Sequence, residues 1–176
     1  MLQVRKAAMV DVDLIQQLAH DTWPIAYKGI ITPGQIKYML ELIYSKPSLS
    51  RQIEILHHQF VIIYESNRAI GFASYSVKEN SDNDIFRLHK LYVLPLQMGK
   101  GIGKSLLTFV IDQAKQQGAG ILELNVNRKN PAIDFYKKQG FEVAWEEDID
   151  IGEGYFMNDY VMEKNLTPAL SEGEGV

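Results

Sequence analysis

The stretch Leu91-Tyr-Val-Leu-Pro-Leu-Gln-Met-Gly-Lys-Gly-Ile-Gly-Lys-Ser-Leu-Leu107 constrains this chain more than any other. An apolar run stopped by Pro95 leads into Gly99, Gly101 and Gly103, and these open directly onto a helical pattern from Lys104 to about Gln117. Glycine has no Cβ, so successive N–H groups can converge on one point. A helix start adds unpaired N–H groups and the positive end of its dipole. The combination is an anion cradle between a strand and a helix, best suited to phosphate. Its plainer alternative is a tight turn that only packs helix on strand.

Two well-known phosphate loops fail on spacing. A P-loop built on Gly103-Lys104-Ser105 needs glycine at position 98, which is Met98. A dinucleotide loop needs G-x-G-x-x-G, whereas Gly99 starts G-x-G-x-G and Gly101 meets Leu106 at the last place.

Around this segment the pattern predicts strands at Leu2–Arg5, Phe60–Tyr64, Ala69–Val77, Phe86–Val93 and Ile121–Val126. Asp11 is placed to cap a helix carrying Val12, Ile15, Leu18 and Ala19, and Thr32-Pro33 starts a second. Lys46-Pro47-Ser48 ends that helix and opens a third. A further helix is expected over Pro131–Gln139, stopped by Gly140. Phe141–Trp145 and Tyr155–Met162 read as a last strand pair around an acidic loop with Glu146, Glu147, Asp148, Asp150 and Glu153. A β-meander followed by alternating helices and strands implies an α/β (α+β) domain with a mixed sheet and helices on both faces. One domain over residues 1–166 is expected, with 167–176 as a flexible tail.

The 176 residues include no cysteine, which removes thiol nucleophiles and cysteine-based metal sites. The net charge of −4 disfavours sequence-independent nucleic-acid binding. No run of about 18 apolar residues occurs, so no membrane span is expected, and without a signal-like start a cytoplasmic location is the default. His57 and His58 are adjacent and share no helix face, so no metal is expected.

After the glycine loop and the following strand comes Asn130-Pro-Ala-Ile-Asp-Phe-Tyr136-Lys-Lys-Gln-Gly-Phe141. The loop at 98–103 and this N-x-A-x-x-F-Y-x-x-x-G-F segment, in this order, resemble the GNAT superfamily of N-acetyltransferases. The resemblance covers residues 59–162 well and 1–58 loosely. It implies a mostly antiparallel sheet of six or seven strands with a splayed central pair, and acetyl-CoA lying in the gap. Pantetheine would pair with the backbone of Leu91, Tyr92 and Val93. Pyrophosphate would take N–H groups of Met98, Gly99, Lys100, Gly101, Ile102 and Gly103, with Lys104 nearby. Met98 stands where the family usually has Gln or Arg, with Gln97 one step early.

The resemblance further implies that Tyr136 faces the cofactor sulfur and protonates the departing thiolate. A core aromatic is its plainer reading. Asn130 caps its helix and touches the pantetheine arm, and a backbone N–H near Val93 polarises the thioester carbonyl. His89 is the leading candidate base, ahead of Glu123 and Asn125. Trp23, Tyr27 and Tyr38 are candidate acceptor-site walls, and Asp148 with its acidic neighbours a field for a cationic amine. The Trp23–Tyr27 helix end, with the strands that follow, looks like bacterial spermidine/spermine acetyltransferases. A polyamine-like small-molecule acceptor is therefore the first expectation, with protein or peptide amino groups as the alternative. A non-catalytic coenzyme A sensor and a nucleotide-binding module are the competing readings. A homodimer is left open, since dimers are common on this scaffold and no interface is marked.

Overall fold

The computed structural model describes residues 1–167, so the expected tail lies outside the described residues apart from Thr167. In chain order the elements are β1 (Leu2–Lys6), α1 (Val12–Ala26), α2 (Pro33–Tyr44), α3 (Lys46–Glu54), β2 (Gln59–Glu65), β3 (Arg68–Val77), β4 (Ile85–Val93), α4 (Ile102–Gln116), β5 (Ile121–Asn127), α5 (Ala132–Lys138), β6 (Glu142–Gly152) and β7 (Tyr155–Asn165). The strands form one seven-stranded sheet in the order β1-β2-β3-β4-β5-β7-β6. Every neighbouring pair is antiparallel except β4 and β5, which run parallel.

Local chemistry explains most boundaries. Ser66 and Asn67 both take positive φ, which matches the twist of a tight hairpin and joins β2 to β3. The Thr32 hydroxyl accepts from the Gln35 N–H, and Pro33 occupies the first turn of α2, where no N–H is needed. Asp11 departs from expectation. Its carboxylate is taken bidentately by Arg5 at 2.7 and 2.9 Å and by the Ala8 N–H at 2.8 Å, so it anchors β1 to the helix entry rather than capping α1.

The sheet has a core on each face. Val61, Ile63, Phe86 and Leu88 meet Leu106, Leu107 and Val110 of α4 on one side. Phe60, Ile62 and Phe72 meet Ile15, Leu18, Trp23 and Tyr44 of α1 and α2 on the other. Covered on both faces, β2 is apolar without alternation.

The acidic stretch is a strand rather than a loop. Glu146, Glu147, Asp148 and Asp150 all lie in β6, paired with β7, and Glu153 alone sits in the turn. This is the sheet's outer strand, where charge is tolerated and discourages edge-to-edge pairing. Ile149 and Ile151 pack on the α2 side, fixing its register. His57 and His58 follow α3 in a loop, His57 with positive φ, and are not helical neighbours.

Candidate active site

The parallel ladder between β4 and β5 runs from Ile85–Ile121 to Leu88–Leu124 and stops, although both strands continue. At the same place the β3–β4 register slips. Tyr75 pairs with Leu88 and Ser74 with Lys90, leaving His89 as the extra residue of a bulge. A bulge bends its strand and sharpens the twist. Beyond it Leu91, Tyr92 and Val93 stay paired to Ala73, Phe72 and Gly71 of β3, and part from Asn125–Asn127 of β5. Gly71 permits this close fit, since a Cβ there would lie 2.7 Å from the Tyr92 carbonyl oxygen. The sheet therefore contains a V-shaped opening with unpaired backbone along both walls.

The glycine loop closes one end of the opening. Gly99 and Gly101 have φ of 79° and 75°, and Gly101 is the N-cap of α4. The Ser105 N–H bonds the Gly101 carbonyl at 3.0 Å, whereas the N–H groups of Gly99 through Lys104 have no protein acceptor among the described residues. Nothing stands within 4 Å of the Cβ position at Gly99 or Gly101, so the cradle is open. Met98 is exposed, and Lys100 folds back on the Gln97 side chain at 3.3 Å. Lys104 is exposed on the first turn. Six backbone donors at a helix N-terminus, with two lysines beside them, fit a pyrophosphate.

Phenols come from both faces of the sheet, Tyr27 and Tyr92 from the α1–α2 side and Tyr136 from the α4 side. Tyr27, at the end of α1, and Tyr92 of β4 meet hydroxyl to hydroxyl at 2.8 Å. Burial pushes the Tyr27 phenol up to about 12, against the lowering effect of the Tyr92 hydrogen bond. Tyr136 of α5 has its ring packed edge-on against Phe135 and Phe141, at 5.2 and 5.6 Å between centroids. Burial, with a smaller contribution from Tyr27, holds its phenol protonated well above the ordinary range. Tyr136 is buried, and its hydroxyl bonds to no described residue, so the packed ring ends in a spare donor. Asn130 accepts from the Ala132 N–H at 2.9 Å but stands one residue ahead of the N-cap, Pro131, so it braces the helix entry rather than capping it.

Other expected site residues are placed differently. His89 is hydrogen-bonded through Nε2 to the Ser76 hydroxyl at 2.7 Å and stacked on His58 at 3.9 Å. Burial, aided by the neighbouring His58, Lys90 and Arg87, lowers it to about 2, which removes it as a base near neutrality. Glu123 is buried and held by Lys78 at 2.8 Å and Arg87 at 3.7 Å, which consumes its charge. Asn125 joins Arg87 to Glu147 and Asp159. Trp23 is a core residue rather than an acceptor wall. Its indole N–H bonds the Tyr44 hydroxyl at 3.0 Å, and its ring lies 4.4 Å from that of Tyr27. Tyr38 ties α2 to the end of β6 by donating to the Ile151 carbonyl at 2.7 Å. Asp148 is exposed and paired with Arg128 at 2.6 Å, so its charge is largely answered.

A cavity of about 460 Å³ opens between the α1–α2 connection and the ends of β5 and β7, with Ile31, Gln35, Asn127, Lys129, Phe156 and Asn158 in its lining. Asp159 lies next to it in sequence, is 5% exposed, and was not singled out by sequence reasoning. Nothing in its local pattern, Met-Asn-Asp-Tyr-Val, distinguishes it from an ordinary strand residue.

Comparison with known proteins agrees with this geometry. A sequence model described as an acetyltransferase (GNAT) domain matches residues 31–163. An uncharacterized N-acetyltransferase of Mycobacterium tuberculosis is 29% identical over 159 residues, covering 90% of this chain and 99% of its own. The spermidine N(1)-acetyltransferase of Thermoplasma acidophilum is 29% identical over 168 residues, covering 93% and 96%. The crystal structure of the PaiA N-acetyltransferase of the same organism, in complex with coenzyme A, superposes with a TM-score of 0.77 at 28% identity, covering 94% of this chain and 99% of that one.

Proposed function

The chain belongs to the GNAT family of acetyltransferases, and from that premise we propose that it acetylates the primary amine of a small cationic acceptor by direct transfer, with Tyr136 as general acid. It is an N-acetyltransferase, and acetyl-CoA is its donor, supplying an activated thioester when bound. The observation that carries the mechanism is the parting of β4 from β5 beyond Leu88–Leu124, with Tyr136 packed on the α4 side of the sheet.

In this reading the N–H groups of Gly99–Lys104 hold the pyrophosphate, assisted by the charge of Lys100 and Lys104. The parted edge of β4 at Leu91–Val93 aligns the pantetheine arm and offers a backbone N–H to the carbonyl oxygen as it becomes anionic. Tyr136 then gives its proton to the departing sulfur. A phenol holds its proton near neutrality and so is available as a donor when negative charge develops on the sulfur. Tyr136→Phe keeps the ring packing and should lower turnover by roughly 10²-fold with acetyl-CoA affinity little changed. Equal turnover in the two proteins rejects the acid role.

Polyamine acceptors are supported by the Thermoplasma relative and by the paired carboxylates of Glu147 and Asp159, which both reach the Asn125 amide. A peptide amino terminus is the second reading. It is favoured by Lys129, exposed at the cavity without an acidic partner among the described residues and a poor neighbour for a polycation. Steady-state kinetics with spermidine, a monoamine of similar length and a short peptide, at low and physiological salt, decide between them. A higher kcat/KM for spermidine that falls with salt supports the first. A higher value for the peptide in both conditions replaces it.

A further inference from the structure

The acetyltransferase reading leaves one chemical task without a residue. An acceptor amine arrives as an ammonium ion and must lose a proton before its nitrogen can attack. His89 and Glu123 are excluded by their surroundings, as described above. Asp159 is not. Its Oδ2 receives only a long hydrogen bond from Asn125 at 3.3 Å, and its Oδ1 is shielded from bulk water with no partner among the described residues. A buried carboxylate oxygen without a donor is costly, so the fold retains a vacant acceptor position there.

Its place in the sheet gives that position a use. Asp159 of β7 pairs with Asn127 of β5, and Asn125–Asn127 is the stretch of β5 that has parted from β4. Residues directly opposite in an antiparallel pair share a face, so Asp159 and Asn127 lie on one side of the opening. On that same side are Tyr92 and Tyr27, and the Asp159 charge is felt at the Tyr27 phenol. Asn127, directly opposite it, lines the 460 Å³ cavity.

We propose that Asp159 is the carboxylate that receives the acceptor's ammonium group and takes its proton. The inference rests on the acetyltransferase reading and adds the acceptor-binding base to it. One N–H proton of the ammonium passes to Asp159 and onward to solvent. The freed nitrogen pair forms the C–N bond, the C–S bond breaks with its pair on sulfur, and sulfur takes a proton from Tyr136. Tyr136 is restored by the second proton shed from nitrogen. The net products are the amide, the free thiol and one proton.

The surroundings suit a group that must take up a proton. Burial raises the Asp159 carboxyl above the usual range, and the Glu147 charge on β6 adds to that. The Asn125 hydrogen bond, Arg128 after β5 and Arg87 on β4 act in the opposite direction.

The test is Asp159→Asn. Wild type is first assayed with spermidine, the monoamine and the peptide, and the best acceptor is used throughout. In the variant kcat/KM for that acceptor should fall by roughly 10²-fold or more, the acid limb of its pH profile should vanish, and the acetyl-CoA dissociation constant should stay within about twofold. Asp159→Glu should recover part of the rate. If Asp159→Asn does not fold, Asp159→Ser, smaller and uncharged, is read in the same way. A variant that keeps the wild-type rate and acid limb overturns the proposal and leaves Asp159 a buried group satisfied by a structural water. In that case a rate loss in Tyr136→Phe shows that the acetyltransferase reading still stands. Absence of turnover by wild type with all three amines overturns the proposed acceptor classes and this inference with them.

Discussion

Tyr27 and Tyr92 join α1 to β4 through a single hydroxyl–hydroxyl hydrogen bond of 2.8 Å, on the stretch of β4 that has already left β5. With no strand on that side, Tyr92 is held from above. The aromatic cluster of Trp23, Tyr27 and Phe72 around it supplies packing, and the hydrogen bond supplies direction. Removing one hydroxyl strands the other in an enclosed position, whereas removing both leaves two apolar rings in contact. Tyr27→Phe and Tyr92→Phe should therefore each cost about 1–2 kcal/mol, and the double variant clearly less than their sum. Urea unfolding of the four proteins measures the coupling. Additive losses would show that the bond does not brace the opening.

The glycine loop separates backbone strain from contact. Gly101 has φ of 75° and open space around its Cβ position, and so does Gly118 with φ of 94°, at the other end of α4. A valine at either position is strained by the left-handed conformation rather than by a clash. Only Gly101 lies in the run of free N–H groups. Gly101→Val should raise the acetyl-CoA dissociation constant about tenfold or more, equivalent to about 1.4 kcal/mol. Gly118→Val should cost comparable stability and leave that constant unchanged. Calorimetric titration of both variants checks this, and equal affinities would detach the loop from the cofactor.

Much of this architecture was legible in the chain because its signals are local. Alternating glycines between an apolar run and a helical stripe mark the cradle, and Asn130 with Phe135-Tyr136 marks the helix that carries the phenol. The acidic stretch misled because a charged run is usually solvated loop, whereas here the charges sit on an outer strand whose register is set by Ile149 and Ile151. Asp159 and the His89 bulge were illegible for another reason. What distinguishes them is a missing hydrogen bond and a missing ladder rung. Both depend on which strand lies opposite, and short-range periodicity carries no record of that.

Lys90 is an internal cation whose cost can be read from pH. It is 8% exposed, bonded to Gln52 Oε1 at 2.7 Å, and set over the rings of Tyr44 and Phe60 at 5.7 and 5.4 Å. His58 and His89 face it, and neither is negative. Burial lowers Lys90 to about 7. Between that value and the ordinary lysine range, the unfolded chain keeps a proton that the folded chain has released, so stability rises with pH across this window. Below it both states are protonated and the full cost of burying the charge remains. Lys90→Met retains the length and apolar stem and removes the titration. Its advantage over wild type in urea unfolding should be largest near pH 6 and shrink steadily toward about pH 10. Parallel stability curves across that range would mean that the Lys90 ammonium is solvated in the folded protein and that its burial carries no such cost.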